Sequence, residues 1–118
     1  MYTLGIDIGS ASSKAVILKD GREIVCKKAV QAGTGTSGPG RLMADIFAES
    51  GLGWGDIRYT VATGYGRFSV EEANRQISEI TCHGAGIHFL CPSAGTIIDI
   101  GGQDAKAISL NNDGAIQK

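Results

Sequence analysis

From Tyr2 to Ile8 the chain is almost continuously apolar, the pattern of a central strand covered on both faces. Ser13 to Lys19 gives a second strand. Asp20-Gly21, a dipeptide suited to a tight hairpin turn, leads into a third from Glu23 to Gln31. Three antiparallel strands therefore open the fold. A Gly-rich loop, Gly33 to Gly40, precedes a segment that places Leu42, Ile46 and Phe47 on one helical face, with Gly51 as its stop. Arg58 to Thr63 reads as a fourth strand, which after a crossover helix should lie parallel to the first. After the turn Gly64-Tyr65-Gly66-Arg67, Ser69 is expected to cap a short helix running to Asn74, with Glu71 and Glu72 in its first turn. Ile77 to Leu90 predicts a further helix packed through Ile80, Gly84, Ile87 and Leu90, and Pro92 ends it. Gly95 to Ile100 is a fifth strand and Ala105 to Leu110 its return. Asn112-Asp113-Gly114 turns into a last strand, Ala115 to Gln117.

The order βββαβααβββ predicts an α/β fold: a ribonuclease-H-like mixed sheet with flanking helices over residues 1–93, then the first strands of a second such unit over 94–118. The alternative is that the final hairpin extends the first sheet. The case for a second unit rests on an internal repeat. Leu4-Gly5-Ile6-Asp7-Ile8-Gly9-Ser10 and Ile97-Ile98-Asp99-Ile100-Gly101-Gly102-Gln103-Asp104 each end an apolar run in Asp-Ile-Gly, and a second apolar run follows each. The pattern is a strand, a tight turn and a return strand, made twice. In each copy a carboxylate stands at a strand end beside the amides of a Gly-rich turn. Such amides converge on an anion, and the carboxylate suits a hard cation or its waters. Asp7 and Asp99 are therefore the expected magnesium carboxylates, and Gln103 or Asp104 could orient a water. Gly9, Ser10, Ser12, Ser13 and Lys14 in the first copy, with Gly101 and Gly102 in the second, are the expected phosphate contacts. This is not a P-loop, because GxxxxGK[ST] is absent. The plainer reading of each copy is a hydrophilic hairpin turn.

Composition narrows the classes. Hydrophobic residues make up 42% and charged residues 19%, as in a soluble globular chain, and the formal charge of −1 offers no electrostatic case for nucleic acid or a membrane surface. No apolar run reaches the ~18 residues of a membrane span. A cytoplasmic protein is expected. Gly accounts for 18 of 118 residues, so many positions serve turns and close backbone approach. The three cysteines, Cys26, Cys82 and Cys91, are an odd set without CxxC spacing and read as free thiols rather than a disulfide framework.

The paired Asp-Ile-Gly motifs resemble the two phosphate motifs of the actin, sugar kinase and heat-shock chaperone ATPase superfamily. Ala32-Gly33-Thr34-Gly35-Thr36-Ser37-Gly38-Pro39, Ala62-Thr63-Gly64-Tyr65-Gly66-Arg67 and Asp99 to Lys106 look more closely like the 2-hydroxyacyl-CoA dehydratase activators, which are grouped with the ATPase subunits of benzoyl-CoA reductase. The resemblance covers essentially the whole chain. It implies the ATP-binding N-terminal portion of an activator ATPase that couples ATP hydrolysis to low-potential electron transfer to a dehydratase or reductase component. ATP and Mg2+ are the implied ligands. The resemblance also implies a homodimer bridged by a [4Fe-4S] cluster, whose cysteines fall downstream of the second phosphate motif, in a segment this sequence does not contain. Family members are roughly twice as long, so a truncated second unit and weak ATP turnover by this chain alone are expected. If both units fold as in the family, Asp7 and Asp99 should stand within about one hydrated magnesium of each other, roughly 6–9 Å between carboxylates. A small-molecule kinase of the same superfamily and a non-enzymatic remnant are the other readings.

The cysteines are not expected to hold the cluster. A [4Fe-4S] cluster is usually held by four thiolates. Along one helix at ~1.5 Å per residue, Cys82 and Cys91 stand ~13 Å apart, too far to ligate one cluster from the same subunit. Anaerobic reconstitution of this chain with iron and sulfide is predicted to form no stable cluster. A visible absorption band that bleaches on reduction, and is lost when Cys82 or Cys91 is changed to Ser, would overturn this.

Overall fold

The computed structural model describes residues 1–100, 105–111 and 115–116. Contacts divide the chain into two compact units, Met1–Ile77 and Ser78–Lys118. In the first, strands β1 (Tyr2–Ile8), β2 (Ser13–Lys19) and β3 (Glu23–Val30) form the expected antiparallel meander. Asp20 and Gly21 both take positive φ, 55° and 72°, the twist that a tight hairpin between right-twisted strands needs. Helix α1 (Gly38–Ser50) crosses over to β4 (Ile57–Thr63), which pairs parallel to β1 as predicted. α1 starts earlier than its apolar stripe, because Pro39 is tolerated in the first turn and the Thr36 hydroxyl accepts the Gly38 N–H at 3.0 Å. It ends at Gly51, whose N–H bonds to the Phe47 carbonyl at 2.9 Å.

Residues 69–74 depart from expectation. They form no helix. The Ser69 hydroxyl closes a 3-10 turn over Arg67–Ser69 by donating to the Gly66 carbonyl at 2.7 Å. Asn74 is drawn to β4 instead: its Oδ1 accepts the Thr60 N–H at 2.7 Å, and its own N–H reaches the Thr60 carbonyl at 2.8 Å. That double bond sets Arg75–Gln76 as a two-residue strand, β5, parallel to β4, and gives the sheet its order β3-β2-β1-β4-β5. Ile77 is likewise held to this sheet, by its N–H on the Ala62 carbonyl at 2.9 Å, so the next helix begins only at Glu79.

The core lies on one face of the sheet. Leu4, Ile6 and Ile8 of β1, Ala15 and Ile17 of β2 and Ala62 of β4 meet Leu42 and Ile46 of α1. Phe47 and Trp54 extend it with an edge-to-face ring pair, centroids 5.2 Å apart. On the rim, Lys28 and Glu49 tie β3 to α1 at 3.1 Å, and the Glu49 hydrogen bond and charge raise the Lys28 pKa. At this exposure such a pair adds little stability.

In the second unit, α2 (Glu79–Leu90) is followed by β6 (Thr96–Ile100) and β7 (Ala105–Ser109), an antiparallel pair forming its own two-stranded sheet. The hairpin does not extend the five-stranded sheet. Leu90, expected in the α2 packing stripe, is 74% exposed. Among the described residues the expected last strand shows the bridge Leu110 to Ile116, while residues 112–114 and 117 lie outside them. Among the described residues, no helix is long and apolar enough to cross a membrane.

Leu42 is fully buried at the centre of the first unit's core. Its truncation removes methylene groups and leaves a cavity. Leu42→Ala is expected to cost about 2–5 kcal/mol in urea denaturation.

Candidate functional site

The site is built at the C-terminal ends of β1 and β4. Alternation along β1 sends Leu4, Ile6 and Ile8 into the core and Asp7 to the opposite face. Register then fixes the neighbours of Asp7. Across the antiparallel pair stands Lys14, whose Nζ lies 3.7 Å from Oδ2; across the parallel pair stands Thr63. The Asp7 side chain is 26% exposed, open enough to meet a ligand and sheltered enough to be held in place.

Three loops lock around this strand end. The first is the hairpin turn at Gly9, closed by its N–H to the Ser12 carbonyl at 2.9 Å, with Ser10 and Ala11 exposed at the tip. The second is the Gly-rich loop. Thr34 donates both its N–H (2.9 Å) and its hydroxyl (3.2 Å) to the Gly9 carbonyl, and Thr36 donates its hydroxyl to Gly33 at 2.6 Å. A side chain at Gly33 would collide with the Gly9 carbonyl. The third loop follows β4: the Gly66 N–H bonds to the Ile8 carbonyl at 2.8 Å. Gly64, at φ +92°, lies so close that a β-carbon would strike Asp7 Oδ1 and the Ile8 carbonyl. Arg67 is held inside its own turn, donating to the Gly64 carbonyl at 3.0 Å, with its guanidinium 4.9 Å above the Phe68 ring.

The expected site residues fare unequally. Asp7, Gly9, Ser10, Ser12 and Lys14 come together as the hairpin pattern required. The Gly9 N–H, however, closes the turn and is not presented to a ligand. Ser13 is not a phosphate donor either: it is fully buried, and its hydroxyl is committed to the Ala32 carbonyl at 2.8 Å, because β2 begins there facing the core. Asp99 stands in β6, opposite Lys106 in register as Asp7 stands opposite Lys14. Gly101, Gly102, Gln103 and Asp104 lie outside the described residues. Sequence reasoning missed Thr34, Thr63 and Gly66 as site residues. Their only signal was membership of the loops Ala32 to Pro39 and Ala62 to Arg67.

The described donors fit a hydrated magnesium ion better than a cation caged by protein alone. Asp7 supplies one hard carboxylate, and Mg2+ keeps several waters while taking one or two carboxylates together with phosphate oxygens. Among the described residues the buried Thr63 hydroxyl has no hydrogen-bond partner, and register places Thr63 on the Asp7 face of the sheet.

A family model described as the BadF/BadG/BcrA/BcrD ATPase family matches residues 4–118. The activator of lactoyl-CoA dehydratase from Anaerotignum propionicum is 65% identical over 118 residues, all of this chain and 46% of that protein. The solved activator of the 2-hydroxyisocaproyl-CoA dehydratase from Clostridium difficile, with bound ADPNP, superposes with a TM-score of 0.95 at 49% identity, over 100% of this chain and 44% of that one. A ROK hexokinase from Thermus thermophilus, at 13% identity and a TM-score of 0.67, shares the fold. The fold class expected from the element order, an α/β ribonuclease-H-like mixed sheet with flanking helices, is thus the one observed. The chain spans about half the length of the activators it matches.

Gly64 tests how tightly the loops are set. Gly64→Ala adds a β-carbon at a left-handed backbone position against Asp7, and should cost about 1–3 kcal/mol in urea denaturation. Gly40→Ala, in α1 where a β-carbon meets nothing within 4 Å, is the unstrained comparison and should cost nothing.

Proposed function

The chain belongs to the BadF/BadG/BcrA/BcrD ATPase family, and on that premise we propose that it is the ATP-binding N-terminal portion of an activator of a 2-hydroxyacyl-CoA dehydratase. The single observation that carries the reading is the Asp7 carboxylate set at a strand end and braced by three loops, in a chain whose backbone follows that of an ADPNP-bound activator. On this reading the exposed Ser10–Ala11 tip and Ser12 meet phosphate oxygens, and Lys14 lends its charge to them while staying beside Asp7. The Asp7 carboxylate accepts from cation-bound waters. The same kind of phosphate-binding role is proposed for Asp99, Gly101, Gly102, Gln103 and Asp104 of the second motif. Magnesium, bound with the nucleotide, neutralises charge that develops on the phosphoryl oxygens.

The protein's own contribution is positioning. The Gly9, Gly33 and Gly64 contacts leave the strand end little room to shift, which keeps the carboxylate aimed before ligand arrives. The activity proposed for the whole protein is ATP hydrolysis that drives one electron to the dehydratase component. A homodimer carrying a [4Fe-4S] cluster would be the electron donor, with cluster ligands outside this chain. Lactoyl-CoA dehydratase is the partner named for the 65% identical activator, and a dehydratase of this class is the partner proposed here. A kinase role has only a shared fold behind it.

Calorimetric titration of the protein that carries this chain with ADPNP and Mg2+ tests the reading. Wild type should bind, and Asp7→Asn should weaken binding at least about tenfold and abolish activation of the dehydratase component. Unchanged nucleotide binding by Asp7→Asn would remove Asp7 from the site.

A further inference from the structure

Hydroxyl groups crowd the ends of β1 and β4, and nearly all are committed. Ser13 donates to Ala32, Thr34 to Gly9, Thr36 to Gly33 and Ser69 to Gly66. Thr63 is not. It is 9% exposed, its Oγ1 is buried, and no described group hydrogen-bonds to it. An unsatisfied buried hydroxyl is costly, whereas valine would fill the same space with no polar atom to satisfy. Packing therefore does not account for a threonine here.

The sheet register says on which face Thr63 lies. Thr60 and Ala62 share the core face of the sheet with Leu4 and Ile6, their partners on β1. Thr63 is the register partner of Asp7, and in a parallel pair partnered residues project from the same face. The next residue, Gly64, leaves no side chain between this strand end and the Asp7 carboxylate. One short strand end thus places together a partly exposed carboxylate, a lysine 3.7 Å away from it and a hydroxyl, without a partner among the described residues, able both to donate and to accept.

We propose that Thr63 is a positioning residue for the hydrated divalent cation of the bound nucleotide, its hydroxyl finding its partner only when that cation's water shell occupies the Asp7 site. The inference rests on the nucleotide reading above and deepens it. Groups that orient metal ligands or metal-bound water, without touching the metal, typically govern affinity strongly. A hydroxyl without a partner in the unliganded protein is suited to that task, because loading the site costs it no existing hydrogen bond.

The test compares wild type, Thr63→Val, Thr63→Ser and Thr63→Ala in the protein that carries this chain. ADPNP binding is titrated with Mg2+ and with EDTA, and bound Mn2+ is followed by electron paramagnetic resonance. Thr63→Val should keep metal-free nucleotide affinity within about twofold, lose about tenfold or more of the affinity that Mg2+ adds, and alter the Mn2+ spectrum. Thr63→Ser should restore the metal-dependent part, and Thr63→Ala should lose it as valine does. The melting temperature of unliganded Thr63→Val should equal or exceed that of wild type, since an unsatisfied hydroxyl has gone. Equal losses with and without metal, or a valine variant that titrates like wild type, would overturn the proposal while leaving the nucleotide reading intact. A wild-type protein that fails to bind ADPNP with Mg2+ would overturn both. Should valine prevent folding, the serine and alanine variants decide the matter by the same comparison.

Discussion

The last two carbonyls of β1 and the turn after it hold the first unit's functional end together. The Ile8 carbonyl accepts from Gly66, and the Gly9 carbonyl accepts twice from Thr34. A strand end normally leaves its carbonyls to water. Here they anchor two loops from distant parts of the sequence, and the price is a set of positions where no side chain fits. Gly33 and Gly64 are glycines because backbone and carboxylate oxygens already occupy the space of a β-carbon. The same crowding that forbids side chains keeps the Asp7 carboxylate from wandering.

Electrostatics at this end is modest before any ligand arrives. Asp7 and Lys14 are a cross-strand pair at 3.7 Å with the lysine side chain 56% exposed, a geometry worth little to stability. Its value lies in arrangement. The register sets the two opposite charges side by side at the end of one hairpin, so this strand end carries both signs and no net charge from the pair. The surrounding hydroxyls of Ser13, Thr34 and Thr36 are absorbed in holding loops, while the Asp7 side chain stays partly exposed.

Much of this was legible from residue order. Apolar runs and turn dipeptides marked β1, β2, β3 and β4, the α1 stripe ended at Gly51 as read, and the repeated Asp-Ile-Gly pattern identified β6 and β7 as a second hairpin. What failed to show was local structure made by distant partners. Residues 69–74 carry a plausible cap and acidic first turn, yet Asn74 finds the Thr60 backbone and the segment becomes a link to β5. Two residues of strand have no periodicity to detect. The Ser13 hydroxyl likewise looked available because its acceptor, Ala32, lies a whole hairpin away.

The sequence by itself determined the strand and helix order, the parallel return of β4 and the carboxylate at the tip of β1, because those follow from side-chain spacing and turn chemistry within a few residues. Tertiary structure alone decided which hydroxyls are committed, why Gly33 and Gly64 cannot carry side chains, and that Thr63 stands beside Asp7. Those facts depend on the register between β1 and β4, strands that a crossover helix separates in the chain. Hydrogen bonds and close contacts across that separation leave no imprint on local pattern, since any small or polar residue reads alike until its partner is in place.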